Sequence, residues 1–195
     1  MAKADPETSK REKMKNAKWV VTIFFVTIFI SGTISLLSDV LMANSTMVVA
    51  FLILLLIILV GIIFDIIGMA VATADEKPFH AMAARKVPGA KESIQLLRNA
   101  ERVSSICNDV VGDICGVVSG SASATIAAQI LSNFEFTWPQ IISLLMSALA
   151  AGLTVGGKAI GKSVAVNSCV TIVHTVGKIL HTLNNLTGKK PKKKK

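Results

Sequence analysis

The sequence is short of charge and short of the motifs that carry common enzyme chemistry. Only 17% of its residues are Asp, Glu, Lys or Arg while 52% are hydrophobic, and the mean hydropathy is +0.61, a balance too apolar for an ordinary soluble domain. There are three cysteines, Cys107, Cys115 and Cys169. Neither a CxxC pair nor a Cys/His spacing for zinc accompanies them, so they read as small packing residues. A nucleophile elbow, a zincin His pair and a phosphate-binding loop are all missing, which argues against an enzyme. No internal repeat, direct or inverted, is visible. Without a soluble domain to present it, the net charge of +9 does not build a nucleic-acid surface.

What remains is a compact all-α membrane protein of four transmembrane helices. About 20 apolar residues suffice to cross the hydrocarbon core, and runs of that kind are found at about 19–41, 47–71, 104–131 and 138–157. Together with the segments between them they form a transmembrane domain over 19–162. The first run exceeds the core of a secretory signal, so it reads as an anchor that stays in place. Trp19, Trp138 and Pro139 mark interfaces. Residues 1–18 are polar and basic with no apolar period, and are expected to be a mobile arm. A brief outer loop is expected over 132–136.

Lys and Arg gather in 3–18, 77–102 and 158–195. Such clusters collect on the cytoplasmic side, which puts both termini there in a multi-pass protein of the cell membrane. The connector 72–103 carries one amphipathic helix after Pro88 and Gly89, with Ala90, Ile94, Leu97 and Val103 on its apolar side. Residues 163–187 repeat Val166, Val170, Val173, Val176, Leu180 and Leu183 at helical spacing. This predicts a juxtamembrane amphipathic helix lying along the membrane, with a bent fifth span as the alternative. The polybasic tail 188–195 suits anionic lipid or plain solvation. His174 and His181 are two polar-face residues with no third metal ligand beside them.

The third run, SSICNDVVGDICGVVSGSASATIAA, carries acids where a bilayer disfavours them. Wound as an α-helix, it places Ser105, Asp109, Gly112, Asp113, Gly116, Gly120 and Ser123 on one side, with Ile106, Val110, Ile114, Val117 and Val118 on the other. Gly112, Gly116 and Gly120 have the spacing that lets two membrane helices approach closely, so helix packing is their expected role. Asp65 of the second run lies at a similar depth to Asp109 and Asp113, all roughly 10 to 16 Å from the cytoplasmic edge. Carboxylates with the amide of Asn108 are oxygen donors that suit a hard cation, so Asp65, Asn108, Asp109 and Asp113 are the candidate metal ligands. Lys158 is the counterweight, placed to reach Asp109 or Asp65 and neutralise the site.

From about Phe64 to Ile179 the chain resembles the membrane domain of the cyclin M / CorC family of magnesium transporters. GAKESIQLLRNAERVSSICNDVVGDI is similar to that family's Gly-Ala-Lys, Leu-Leu and Asn pattern leading into a Gly-Asn-Asn helix. GKAIGK, Gly157 to Lys162, is similar to its Gly-Glu-x-x-Pro-Lys, and SVAVNSCVTIVHTVGKIL to the juxtamembrane helix after it. The resemblance implies a homodimer that binds or transports a divalent cation, with Mg2+ as the ion and membrane lipids as surroundings. It also shows departures: Gly68 stands at the family's glutamate, Asp65 at a serine, Cys107 at the glycine of Gly-Asn-Asn, Asp109 at its second asparagine, and Lys158 at the glutamate of the last span. The CBS pair and CorC-type domain do not follow before Lys195. The alternative function is a non-transporting scaffold or regulatory membrane protein with a disabled cation site, joined to an unidentified protein partner. A lipid-surface protein using its basic tails is the third reading.

Overall fold

The computed structural model describes residues 6–43, 45–133 and 138–186. These form α1 (Pro6–Ala43), α2 (Met47–Thr73), α3 (Lys77–Ala84), α4 (Ala90–Arg98), α5 (Ala100–Ser105), a π-helical segment (Ile106–Gly112), α6 (Asp113–Asn133), α7 (Pro139–Asn167) and α8 (Cys169–Leu186). Four stretches are long and apolar enough to cross a membrane: Trp19–Met42, Met47–Thr73, Ala100–Asn133 and Pro139–Asn167. The chain is therefore an all-α, multi-pass membrane protein. Its spans run alternately up and down, so the connector and α8 share one end and the short turns share the other.

α2 is the axis of the bundle, touching α1, α4, α5, the π segment, α6, α7 and α8. At the turn end, Leu54 and Ile58 of α2 pack with Met42, Ala122, Ile126 and Met146. At the connector end, Ala70 and Val71 pack with Phe79, Leu97, Ala165 and Val173. A third apolar cluster joins Val110, Ile114 and Val118 to Ile23, Ile30 and Ile34 of α1. The most apolar stretch of α1 is otherwise unburied, so α1 is held by that stripe and, at its turn end, by the buried Ser38 and Met42.

Several boundaries differ from expectation for identifiable reasons. The basic arm is not a coil: from Pro6 on it is the first part of α1. Its Glu, Lys, Arg and Met residues are good helix formers, Pro6 suits a first helical position, and extending an existing helix needs no new nucleus. α7 does not stop at 157 but continues through Gly157 and Gly161 to Asn167, because those glycines are pressed against Ile62 and Ile66 of α2. That packing outweighs a glycine's cost of about 1 kcal/mol in a helix. The connector holds α3 and α5 besides the expected α4. The juxtamembrane helix begins at Cys169, not 163, is not among the spanning stretches, and docks on α4 and α2. The tail 188–195 and most of the outer loop expected over 132–136 lie outside the described residues.

The docking of α8 turns on two glycines. Gly89, with φ +85°, ends the turn before α4, and a side chain there would strike the backbone of Gly177 and Lys178. Ser93 is fully buried and its hydroxyl donates to the carbonyls of Gly89 (3.0 Å) and Val173 (3.2 Å). His181 Nδ1 lies 2.9 Å from the Glu92 carboxylate, a second tie between the same helices. A methyl group at Gly177 would stand 2.6 Å from the Gly89 carbonyl oxygen. Gly177→Ala is expected to cost about 1–3 kcal/mol as overpacking, seen as a lower Tm in detergent and faster amide exchange along α4. Unchanged exchange in α4 would contradict this docking.

Candidate functional site

Between the two apolar cores of α2 lies a polar layer built around Asp65. Its carboxylate is buried, at 6% exposure, and Oδ1 lies 3.8 Å from the Lys158 ammonium. The same ammonium is 3.8 Å from Asp113 Oδ1 and donates a hydrogen bond to the Gly112 carbonyl at 3.3 Å. One lysine of α7 thus ties α2 to the junction of the π segment with α6. A buried carboxylate costs several kcal/mol to desolvate unless a counter-charge accompanies it. Lys158 is that counter-charge, one net negative charge remaining among the three groups.

Close approach makes the contact available. Gly61 and Gly68 flank Asp65 on α2; a Cβ on Gly61 would stand 2.8 Å from Cys115 Cβ, and one on Gly68 3.0 Å from Cys107 Cβ. Gly157 and Gly161 flank Lys158 on α7 and receive the side chains of Ile62 and Ile66. Gly112 leaves the space into which Lys158 and Asp65 project, 3.3 and 3.7 Å from where its Cβ would be. Cys107 and Cys115 are buried and free, in keeping with small packing residues.

The four oxygen-donor residues have different partners. Asp65 and Asp113 share Lys158. Asn108 sits against Gly68, its Nδ2 donating to Ser104 Oγ at 3.3 Å. Asp109 is exposed, accepts a 2.7 Å hydrogen bond from Ser105, and lines an open cup with Ala72, Ala100, Glu101 and Ser104. No group of three or more His, Cys, Asp or Glu side chains fit to hold a metal is found among the described residues. Asp109 lies within the π segment and Asp113 just beyond its end, and it is Asp113 that reaches Lys158.

The glycine series divides in the same way. Gly112 belongs to the Lys158 layer, whereas a Cβ at Gly116 or Gly120 would meet nothing within 4 Å. Those two open instead on a groove of small residues between α6 and α7 that includes Ser119, Ser147, Ala150 and Thr154. The close packing inside the chain is carried by Gly61, Gly68, Gly157 and Gly161. Their signal was present in the sequence as small residues one to four positions from an intramembrane charge. Two buried oxygens, Asp65 Oδ2 and Asn108 Oδ1, have no hydrogen-bond partner.

No family model, no curated protein and no solved structure matches this chain. The site therefore rests on its own geometry. Gly161→Leu, which forces α7 away from Ile66, is expected to draw the ammonium out of the polar layer. It should lower Tm as far as Lys158→Met does, with little further loss when the two are combined; additive losses would show that the glycine and the lysine act independently.

Proposed function

We propose that this chain is a non-transporting scaffold or regulatory membrane protein whose former cation position is occupied by its own lysine. The observation that carries the reading is the Lys158 ammonium lying within 3.8 Å of both Asp65 and Asp113. An ammonium there supplies the positive charge that a metal ion would bring, and a divalent ion seeking about six oxygen ligands finds its donors scattered. The basic connector end faces the cytoplasm of a cell membrane in this reading, by the distribution of Lys and Arg.

Self-association follows from Asp113. Its side chain is 74% exposed in the single chain, on a span that crosses the membrane, and lipid is a costly surrounding for a carboxylate. The adjacent groove at Gly116 and Gly120 has the small residues that admit another helix closely. A second copy docked along α6 and α7 would shield Asp113 and fill the groove. Gly116→Leu points into open space within the chain, so it is expected to leave the protomer folded while lowering the dimer fraction measured by light scattering in detergent. An unchanged dimer fraction would mean that this face meets only lipid.

Divalent-cation transport remains the second reading, favoured by the two unpartnered oxygens of Asp65 and Asn108 and by the sequence resemblance to magnesium transporters. It requires Lys158 to withdraw and Asp65 and Asn108 to supply oxygen ligands together. Proteoliposomes separate the two. The scaffold reading expects no Mg2+ flux above empty vesicles under Na+ or pH gradients, and no Mg2+-dependent rise in Tm. Flux that disappears in Asp65→Asn would overturn it in favour of transport.

A further inference from the structure

A crevice separates α1 from the π segment. Trp19, Ile23, Val26 and Ile30 line one wall, and Ile106 and Val111 the other. The lining is apolar apart from Thr22, and the volume is about 190 Å³, below the roughly 300 Å³ at which ordinary small-molecule pockets begin. Its shape follows from the π turn. The wider winding lets Val110 and Val111, successive residues that an α-helix would splay apart, both face α1 together with Ile106.

The mouth of the crevice is chemically different from its walls. Trp19 stands at the connector end of the first span, where tryptophan anchors at the level of lipid headgroups. The Arg102 guanidinium lies over its ring, 5.1 Å from the centroid. Arg102 is exposed, and no carboxylate among the described side chains, which begin at Trp19, lies within 4.0 Å of it to form an ion pair. A stacked guanidinium keeps its N–H edge free, and that planar edge matches two oxygens of a phosphate. Glu101, its neighbour in sequence, instead lines the cup that holds Asp109.

We propose that the seam between α1 and the π segment is a binding site for one anionic phospholipid, an acyl chain lying in the crevice and the phosphate held by Arg102. The medium supplies the ligand: α1 already faces lipid over most of its surface, so a hydrocarbon chain enters sideways without crossing water. Charge decides which lipid. A phosphatidylglycerol headgroup leaves its net negative charge beside the guanidinium, whereas the choline of phosphatidylcholine carries a cation to the same place. The bound lipid would mortar α1 to the bundle at the connector end, away from the buried Met42 that holds its other end.

The test uses the full chain in detergent, titrated with phosphatidylglycerol, phosphatidylcholine or inorganic phosphate while Tm is followed and lipid adducts are counted by native mass spectrometry. At phosphatidylglycerol concentrations about tenfold above Kd, Tm should rise by about 3–6 °C, with one retained lipid per chain. Phosphatidylcholine should give less than half that shift and phosphate none. Arg102→Gln, an exposed substitution expected to fold normally, should reduce the phosphatidylglycerol shift to the phosphatidylcholine level. Val26→Trp, which fills the crevice and leaves Arg102 in place, should abolish the retained lipid. An equal shift in wild type and Arg102→Gln, an equal effect of free phosphate, or full lipid retention in Val26→Trp would each overturn the proposal. So would a dimer fraction that falls in Val26→Trp with no lipid retained by wild type, since the crevice would then receive a second protein copy.

Discussion

A carboxylate at the centre of an apolar bundle must be answered from within the bundle, and most of this structure can be understood as the answer to Asp65. At 3.8 Å the attraction of an ammonium amounts to roughly 4 kcal/mol at an effective dielectric near 20, before either group's desolvation is charged against it. The gain is therefore conditional on distance. Glycines at 61, 68, 112, 157 and 161 let α2, α7 and the junction of the π segment with α6 come near enough for it to be realised. The apolar cores above and below this layer hold the helices in place; the ion pair fixes which faces meet.

The same layer divides structural from functional interpretations. Carboxylates inside a membrane are usually functional, yet here two of the three acids share a resident cation and the third, Asp109, turns away to an open cup beside Glu101. The π turn lies between the two environments, with Asp109 inside it and Asp113 just past its end, and on its apolar side it borders the crevice against α1.

Much of the fold could be read in the sequence because spanning a bilayer imposes a length and a composition that survive any packing detail. All four spans were recognisable, as was α4 from its amphipathic spacing. Their ends were less legible. Glycines at 156, 157 and 161 looked like the end of a helix, and only the contact with Ile62 and Ile66 carries α7 through them. The arm before Trp19 lacked an apolar period, but helix continuation needs none. In the site, Lys158 was identifiable as a neutralising partner from its charge and depth. That its second partner is Asp113 and not Asp109 was not, because the two acids are four residues apart and share a helix face when read from spacing alone. Nor was it evident that Gly116 and Gly120 face an open groove, since a glycine repeat does not say whether its partner helix lies in the same chain.

The most direct test of the account is the thermodynamic coupling between residues 65 and 158, obtained from the stabilities of wild type, Asp65→Asn, Lys158→Met and the double variant in one detergent. The account predicts that Lys158→Met is the more damaging single change, by about 3 kcal/mol, because it strands a buried carboxylate. It predicts further that the double variant regains most of that loss. Additive effects, or a double variant no more stable than Lys158→Met, would contradict a bundle organised around this pair.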